Sequence, residues 1–397
     1  MYREDFTMLE NDIVYFDNGA TTLKPKRVVD SVVKYYTEHT SNIHRGDYDA
    51  AMKTNNLYDD TRNIVSKFVN CGSDEVVFTS GTTMSINMVV FGFMKNVLKK
   101  GDEVLLTKSE HASNVLPWMK LADDIGIVVK YMELNENYEL TLDIVRKSIT
   151  EKTKVISIAH VTNVIGDVRD VVGIGQICKD KDIFFCVDGA QSVPHMKVDF
   201  KASNMDFLSF SGHKMCGPTG VGCLILKKKY LDFMEPLFYG GGMNQSFDKD
   251  NNYVLKNGVT RFEAGTPPIA QVIGLREAIL YLDEIGMDNI HKYEVELKKY
   301  LLEKLNNISN IKVYNKKSNS GILTFNIDGV FAQDSSIYLN NYNIFVRAGN
   351  HCTKMLKDDI GVKNTVRVSL YLYNNKDDVD KFIEVLRNSE DIFKIVI

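Results

Sequence analysis

VDGAQS at residues 187–192 and FSGHK at residues 210–214 are the two stretches that decide the fold of this 397-residue chain. Each follows a run of apolar residues of the length of a buried strand. In each stretch, polar residues begin where the apolar run ends. Open α/β sheets bind their ligands at the carboxyl ends of the strands, so we expect Asp188 and Lys214 to face a ligand at that edge.

The sequence around these stretches alternates apolar runs with longer amphipathic segments, which indicates parallel strands linked by helices. A sheet of this kind is buried on both faces. The predicted strands are residues 75–79, 103–107, 127–133, 154–161, 183–187, 206–210 and 222–226. The sequence therefore predicts an α/β fold with a mostly parallel seven-stranded sheet and helices on both faces.

The second half of the chain has a different pattern. Residues 238–266 are rich in Gly and Asn and precede two prolines, so we interpret them as a long loop. A helical pattern runs from residue 269 to 306, and strands near 321–327, 344–347 and 365–371 and a helix from 376 follow it. We expect three parts: an N-terminal segment (1–14) that packs with the small domain, a large domain (15–268) and a smaller α+β C-terminal domain (269–397).

Composition excludes several classes of function. The chain is 44% hydrophobic and 25% charged, as in a globular protein, and its formal net charge of −4 gives no electrostatic reason to expect a nucleic acid or acidic membrane as partner. There is no secretory leader pattern and no apolar run of membrane-spanning length. The six cysteines form no C-x-x-C pair, which argues against disulfides and a zinc site, so we expect no metal and a reducing cytoplasm.

The acid and the lysine that follow successive strands suit pyridoxal 5'-phosphate (PLP). This cofactor needs a lysine amine for a Schiff base and a carboxylate opposite its ring nitrogen, which keeps the ring electron-withdrawing. Lys214 and Asp188 can supply these groups. SGTT at residues 80–83 is a candidate phosphate site, because it precedes a helix whose free N–H groups would face an anion. Such small residues also serve as ordinary helix caps.

Over nearly its whole length, the chain resembles the SUF-type (group II) cysteine desulfurases, which are class V, fold-type I PLP enzymes. Each motif alone has little specificity, whereas all of them in this order are highly specific. The matching stretches are YFDNGATT (15–22), IHRG (43–46), GTT (81–83), EH (110–111), Asn114 with PW (117–118), HVTNV (160–164), DGAQ (188–191), SGHK (211–214), GPTG (217–220), RFEAGTP (261–267) and RAGNHC (347–352).

The resemblance implies a role for each matching position. Lys214 would form the Schiff base, Asp188 would face the ring nitrogen, His111 would stack on the ring and donate a proton, and Gln191 would lie near the phenolic oxygen. The implied cofactor-binding residues are Thr82, Thr83, His111, Asn163, Asp188, Gln191, Ser211, His213, Lys214 and Thr266. The implied substrate-binding residues are Arg45, Asn163, Arg347 and Arg367. Thr266 would reach the phosphate of a partner subunit, so the site would be completed in a homodimer.

Cys352 differs from the other five cysteines, which lie in or near apolar strands or helices and are read as small buried hydrophobes. It follows Arg347 in a polar, glycine-containing turn, where a thiol would be exposed and a nearby cation would favour the thiolate. The resemblance makes Cys352 the residue that takes sulfur from the substrate. Because its connection to the next element is short, we expect an acceptor protein to dock at the site.

The implied activity is the conversion of L-cysteine to L-alanine, with a persulfide on Cys352 and delivery of its sulfur to an acceptor protein of the SUF system for iron–sulfur cluster assembly. The alternatives are a selenocysteine lyase, another class V aminotransferase or lyase in which Cys352 is incidental, and a non-catalytic PLP-fold protein, which the presence of Lys214 disfavours. Three positions depart from the usual pattern, Gly19, Met84 and Asn350. The sequence assigns no role to His351.

Overall fold

The structure, a computed structural model, describes residues 2–389 and 392. Its strands are β1 (Val14–Tyr15), β2 (Val76–Thr79), β3 (Glu103–Thr107), β4 (Val128–Met132), β5 (Thr153–Ala159), β6 (Phe184–Asp188), β7 (Phe207–Ser211), β8 (Gly222–Leu226), β9 (Asn244–Phe247), β10 (Tyr253–Leu255), β11 (Ile311–Val313), β12 (Ile322–Ile327), β13 (Ile344–Phe345), β14 (Arg347–Gly349) and β15 (Thr365–Ser369).

Twelve stretches of the described residues are α-helical. They are α1 (Lys26–Glu38), α2 (Asp49–Phe68), α3 (Thr82–Asn87), α4 (Lys95–Val97), α5 (Leu116–Ile125), α6 (Leu142–Ser148), α7 (Val171–Asp180), α8 (Ile269–Ile285), α9 (Met287–Leu305), α10 (Ala332–Asn340), α11 (Lys354–Ile360) and α12 (Lys376–Arg387). A π-helical segment, Met88–Met94, joins α3 to α4. Within the described part of the chain, no helix is both long and apolar enough to span a lipid bilayer.

The central sheet has seven strands in the order β2-β8-β7-β6-β5-β3-β4. Strands β4, β3, β5, β6 and β7 are parallel, and β8 runs antiparallel to both of its neighbours. The predicted α/β class and the mostly parallel seven-stranded sheet are therefore confirmed. The seven predicted strands agree with the observed ones to within a few residues at each end.

Helices cover both faces of this sheet, because successive residues of a strand point to opposite sides. In β3, Leu105 packs into the core cluster that includes residues of α7 and α8. Its neighbours Val104 and Leu106 pack on the other face, with Trp118 of α5 and the π-helical segment. This arrangement explains why the central strands are apolar throughout rather than alternating.

A second, antiparallel sheet has the strand order β11-β12-β15-β14 and packs against α9, α10 and α12. The N-terminal residues contact this part of the chain: β1 pairs with β13, and Arg3 forms an ion pair with Asp378 at 3.0 Å. The domain limits that we set from the sequence, at residues 14 and 268, stay a prediction.

The helical pattern predicted over residues 269–306 is confirmed with a break that was not predicted, and the prediction of a loop over residues 238–266 was incomplete. The helical stretch 269–306 is two helices, because Gly286 adopts φ 88° and ends α8 before α9 begins. The loop 238–266 contains a hairpin of β9 and β10, which pair antiparallel, and a 3-10 turn at Val259–Phe262. Glycine and asparagine enrichment indicated the turns correctly but concealed the short strands between them.

Gly222 is where the sheet needs a glycine most. A Cβ atom at Gly222 would lie 2.5 Å from the Gly81 Cα and 2.5 Å from the Phe210 carbonyl oxygen, both backbone atoms. The absence of a side chain therefore lets β8 lie against the turn that starts α3.

We predict that Gly222→Ala lowers the free energy of unfolding by about 2 kcal/mol, the usual cost of overpacking a core, because backbone must move to admit the methyl group. Urea denaturation followed by circular dichroism would measure the loss. Gly240→Ala is the control, since its Cβ would meet no atom closer than 3.7 Å. Equal stability of the two variants would contradict the prediction.

Candidate active site

The register of the parallel strands sets the position of the site. Ala159, Asp188 and Ser209 are Cα partners across β5, β6 and β7. Asp188 ends β6, and Lys214 ends the 3-10 turn Gly212–Lys214 that follows β7. The ends of neighbouring parallel strands meet at one edge of a sheet, so these polar residues converge there.

A cavity of about 180 Å³ opens at this edge. Most of the residues that the sequence assigned to cofactor or substrate line it. They are Thr82, Thr83, His111, Asn163, Asp188, Gln191, Ser211, His213, Lys214, Arg347 and Arg367. Three lysine or arginine side chains against one aspartate give the cavity an excess of positive groups, which suits an anionic ligand.

Lys214 has the environment of a reactive amine. Burial lowers the pKa of Lys214 to about 8, with Arg367 and Arg347 acting in the same direction and Asp188 opposing them. Burial raises the pKa of Asp188 to about 6, although the backbone N–H of Ala190 donates to its carboxylate at 2.9 Å. At pH 7 about a tenth of the Lys214 amine is therefore unprotonated and nucleophilic, far more than for a lysine with the ordinary pKa.

The turn before α3 forms a cradle of polar hydrogens. Gly81 adopts φ 147° before the helix begins, and the backbone N–H of Thr82 donates to Ser211 Oγ at 2.8 Å. The hydroxyl of Thr83 lies 2.8 Å from Ser113 Oγ. Burial lowers the pKa of His213 to about 4, so His213 is neutral near pH 7. These groups present hydroxyl and N–H donors suited to a phosphate.

His111 is held in one tautomer. Its Nδ1 accepts a hydrogen bond from the backbone N–H of Ser113 at 3.1 Å, which leaves the ring proton on Nε2. Burial lowers the pKa of His111 to about 4, with further lowering by Lys214 and the nearby arginines. His111 is thus a neutral ring with one donor at the cavity.

Two buried polar atoms at the cavity, Gln191 Oε1 and Arg367 Nε, have no hydrogen-bond partner among the described residues. The remaining Arg367 nitrogens donate to Asp17 Oδ1 at 3.0 Å and to the Asn163 carbonyl at 3.1 Å. Unpaired buried polar groups are uncommon, so they indicate a polar ligand. A reactive lysine, a carboxylate, a phosphate cradle and unpaired polar atoms together fit the groups of PLP.

Cys352 lies in the turn between β14 and α11, and its side chain is exposed. His351 and Cys352 both adopt left-handed conformations, with φ 53° and 59°, at a typical cost of about 1–2 kcal/mol each. Arg347 Nη2 lies 3.8 Å from Cys352 Sγ. Because Arg347 also lines the cavity, it connects the exposed thiol to the buried site.

The other five cysteines are free thiols with less access to solvent, and four of them are buried. Burial raises the pKa of Cys71, Cys178 and Cys216 to about 12. Burial also raises the pKa of Cys186 and Cys223 well above the usual value. The structure therefore separates one accessible thiol from five thiols that resist deprotonation.

Arg45 and Thr266 do not line the Lys214 cavity of their own chain. Arg45 lines a separate cavity of about 250 Å³, together with Asn42 and Gly265. Thr266 Oγ1 accepts a hydrogen bond from Asn42 Nδ2 at 3.2 Å, beside that cavity. Their predicted roles stay predictions and require a second subunit.

Several residues that shape the site were given no role from the sequence, although Glu110 and Asp17 lie in stretches that match the family. Arg169 and Glu110 form a fully buried ion pair at 2.5 Å, and Arg169 also donates to the carbonyl of Ala159 at the end of β5. Asp17, the partner of Arg367, is 350 residues away in the chain. Pairs so distant in sequence have no periodicity that could reveal them.

Comparisons with known proteins agree with this geometry. The class-V aminotransferase family matches residues 14–382. A protein of Ureaplasma parvum named probable cysteine desulfurase is 41% identical over 390 residues, which cover 97% of this chain and 96% of that protein. A protein of Haloferax volcanii named cysteine desulfurase is 38% identical, with 96% and 90% covered. The apo structure of a cysteine desulfurase from Thermococcus onnurineus matches with a TM-score of 0.94 and 36% identity, covering 97% and 96% of the two chains.

We predict that Lys214 of the cofactor-free protein reacts with PLP with a midpoint near pH 8, because the amine must lose its proton to attack and its pKa lies there. Asp188→Asn should move the midpoint to lower pH, since the carboxylate raises the pKa of Lys214. Borohydride trapping followed by peptide mass spectrometry would measure modification at Lys214. Lys108 is an internal reference, because hydrogen bonding to Asp359 raises its pKa. Identical profiles for the two lysines would refute the prediction.

Proposed function

Because the chain belongs to the class-V aminotransferase family, we propose that it is a cysteine desulfurase that transfers sulfur from L-cysteine to Cys352. Its cofactor is PLP. The observation that carries the proposal is the position of Cys352, an exposed thiol whose Sγ lies 3.8 Å from an arginine that lines the Lys214 cavity. A nucleophile at the mouth of a lysine site suits attack on a substrate sulfur, and an aminotransferase has no need of it.

PLP, when bound, withdraws electrons from the α-carbon of an amino acid and weakens its bonds. Lys214 would hold the cofactor through its amine and, once free, take and return the proton at the substrate α-carbon. Asp188 would face the ring nitrogen. Thr82, Thr83, Ser211 and His213 would hold the phosphate through the donors described above.

The substrate carboxylate would bind at Arg367. Its guanidinium is 1% exposed and fixed by Asp17, and its Nε has no partner among the described residues. The neutral His111 carries its proton on Nε2 and would pass a proton to or from the substrate. In the overall reaction, the C–S bond of cysteine breaks and an S–S bond forms on Cys352. The carbon skeleton takes up the thiol proton and leaves as alanine, so atoms and electrons balance.

We predict that Cys352→Ala abolishes the formation of alanine and sulfide from cysteine in the presence of a reductant, with a loss of about a hundredfold or more, because no nucleophile accepts the sulfur. Amino-acid analysis and a sulfide assay would measure both products, which should be equimolar in the wild type. Cys71→Ala is the control, since Cys71 is the other thiol that is not fully buried. Unchanged turnover of Cys352→Ala would favour the aminotransferase or lyase alternative.

The sulfur bound to Cys352 needs an acceptor that comes to it. The turn that carries Cys352 spans only residues 350–353, between β14 and α11, and the N–H of Ala112 holds the Cys352 carbonyl at 2.8 Å. So short and anchored a turn cannot carry sulfur far. These features support an acceptor protein that docks over the thiol, which we assign to a SUF-type system for iron–sulfur cluster assembly in the reducing cytoplasm.

A homodimer would bring Arg45 and Thr266 to a partner's cavity. Both lie beside the second cavity described above, and Thr266 follows the hairpin of β9 and β10, which exposes large apolar side chains. Exposed side chains of this kind include Phe238, Tyr239, Phe247 and Tyr253, which are between 58% and 77% exposed. An apolar surface of this type is typical of protein interfaces.

We predict that size-exclusion chromatography with light scattering gives twice the chain mass of 45.0 kDa. Thr266→Ala should then weaken PLP binding, measured as an increase in the dissociation constant, without lowering the mass, because the threonine would donate to the partner's cofactor phosphate. A monomer with full desulfurase activity would exclude this arrangement.

A further inference from the structure

Four consecutive carbonyl groups, those of residues 163–166, each accept a hydrogen bond from a side chain of the C-terminal part of the chain. The donors are, in order, Arg367, Thr324, Asn315 and Ser320, at 3.1, 2.5, 2.7 and 2.9 Å. A loop with every carbonyl held in this way has little freedom to move. The backbone of Asn163 is thus held independently of its side chain.

The side chain of Asn163 is bonded to the turn that carries Cys352. Its Nδ2 donates to the carbonyl of His351 at 2.8 Å, and its Oδ1 accepts from the hydroxyl of Thr353 at 2.9 Å. The amide therefore contacts the residues on both sides of Cys352. Asn163 also lines the Lys214 cavity, so one side chain connects the cavity to the thiol.

Thr353 holds the oxygen end of this amide. Its side chain is buried, and its single hydroxyl hydrogen meets Asn163 Oδ1 at 2.9 Å, a shorter contact than the 3.3 Å to the His351 carbonyl. The carbonyl of His351 can only accept, so the Nδ2 group of the amide faces it and Oδ1 faces the Thr353 hydroxyl. The amide is thus held at its nitrogen by His351 and at its oxygen by Thr353.

The turn needs such anchors because its backbone is strained. His351 and Cys352 are both left-handed, a conformation that persists in side-chain-bearing residues only where the surroundings enforce it. The contacts that hold it include the Asn163 amide, the Ala112 N–H at 2.8 Å from the Cys352 carbonyl, and the His351 ring, whose Nε2 lies 3.0 Å from the Thr365 carbonyl. Loss of the amide contact removes one of these anchors.

We infer that Thr353 is a positioning residue for the Cys352 thiol: its hydroxyl restrains the Asn163 amide, which helps to hold the strained turn so that the sulfur stays beside Arg347. The inference rests on the proposed function, in which Cys352 receives sulfur. Thr353 itself touches neither substrate nor cofactor in this scheme.

The test is Thr353→Val, which keeps the branched shape and removes the hydroxyl, with Thr353→Ser as the rescue. With cysteine and a reductant, kcat for alanine formation should fall about tenfold in the valine variant while KM stays within about twofold, because a displaced nucleophile slows the transfer without weakening substrate binding. The serine variant should recover kcat to within about twofold of wild type.

A second measurement needs no turnover. In cofactor-free Thr353→Val, hydrogen–deuterium exchange should be about tenfold faster than in the wild type in peptides covering residues 110–114 and 350–356. These peptides contain the N–H groups of Ala112 and Thr353. Thr61→Val is the matched control, because Thr61 is buried and its hydroxyl donates to the Leu57 carbonyl within α2. If the valine variant does not fold, Thr353→Ala replaces it.

The inference would be overturned if Thr353→Val had the same hydrogen–deuterium exchange rate in these peptides and the same kcat as Thr61→Val. A lowered kcat that serine does not restore would overturn it as well, since the hydroxyl would then not be the cause. If wild-type protein makes no alanine from cysteine, the proposed function fails, and the exchange comparison still decides whether Thr353 holds the turn.

Discussion

Parallel pairing of β5, β6 and β7 is the constraint on which the rest of the structure depends. It places the carboxyl ends of the three strands at the same edge of the sheet, so that the residues after each strand converge on one cavity. Helices on both faces keep water from the strands below, and this burial moves the pKa values of Lys214 and Asp188 toward each other. The buried pair of Arg169 and Glu110 secures the neighbouring strand ends, and hydrogen bonds compensate for its desolvation.

The C-terminal part of the chain holds one loop of the site, residues 163–166, through several side chains, besides its contacts with Asp17 and Ala112. Side chains of β12, β15 and the segment before β12 hold the carbonyls of residues 163–166, and the loop in turn holds the turn of Cys352. The cofactor-side lysine and the exposed thiol therefore belong to different parts of the fold but share one set of hydrogen bonds. In the proposed reaction, this set of hydrogen bonds would keep the turn of Cys352 rigid relative to the cavity of Lys214.

Much of this arrangement could be predicted from the sequence, because apolar runs mark buried strands and polar residues after them mark the ligand edge. Asp188 and Lys214 were found in that way, and the position of Cys352 in a polar turn indicated its exposure. The break at Gly286 and the hairpin of β9 and β10 were missed, since a glycine inside a helical pattern and short strands between turns give weak local signals. Contacts such as Asp17 with Arg367 depend on tertiary folding alone.

The distribution of the six thiols has a consequence for the fate of sulfur inside the molecule. Sulfane sulfur migrates readily between thiolates, so any accessible cysteine would compete for it and turn the protein into its own dead-end product. Five cysteines are kept protonated by burial, and one is exposed beside a guanidinium. In the proposed reaction, the buried thiols would not compete with Cys352 for the sulfur, so the sulfur would stay on the one exposed thiol until an acceptor removes it.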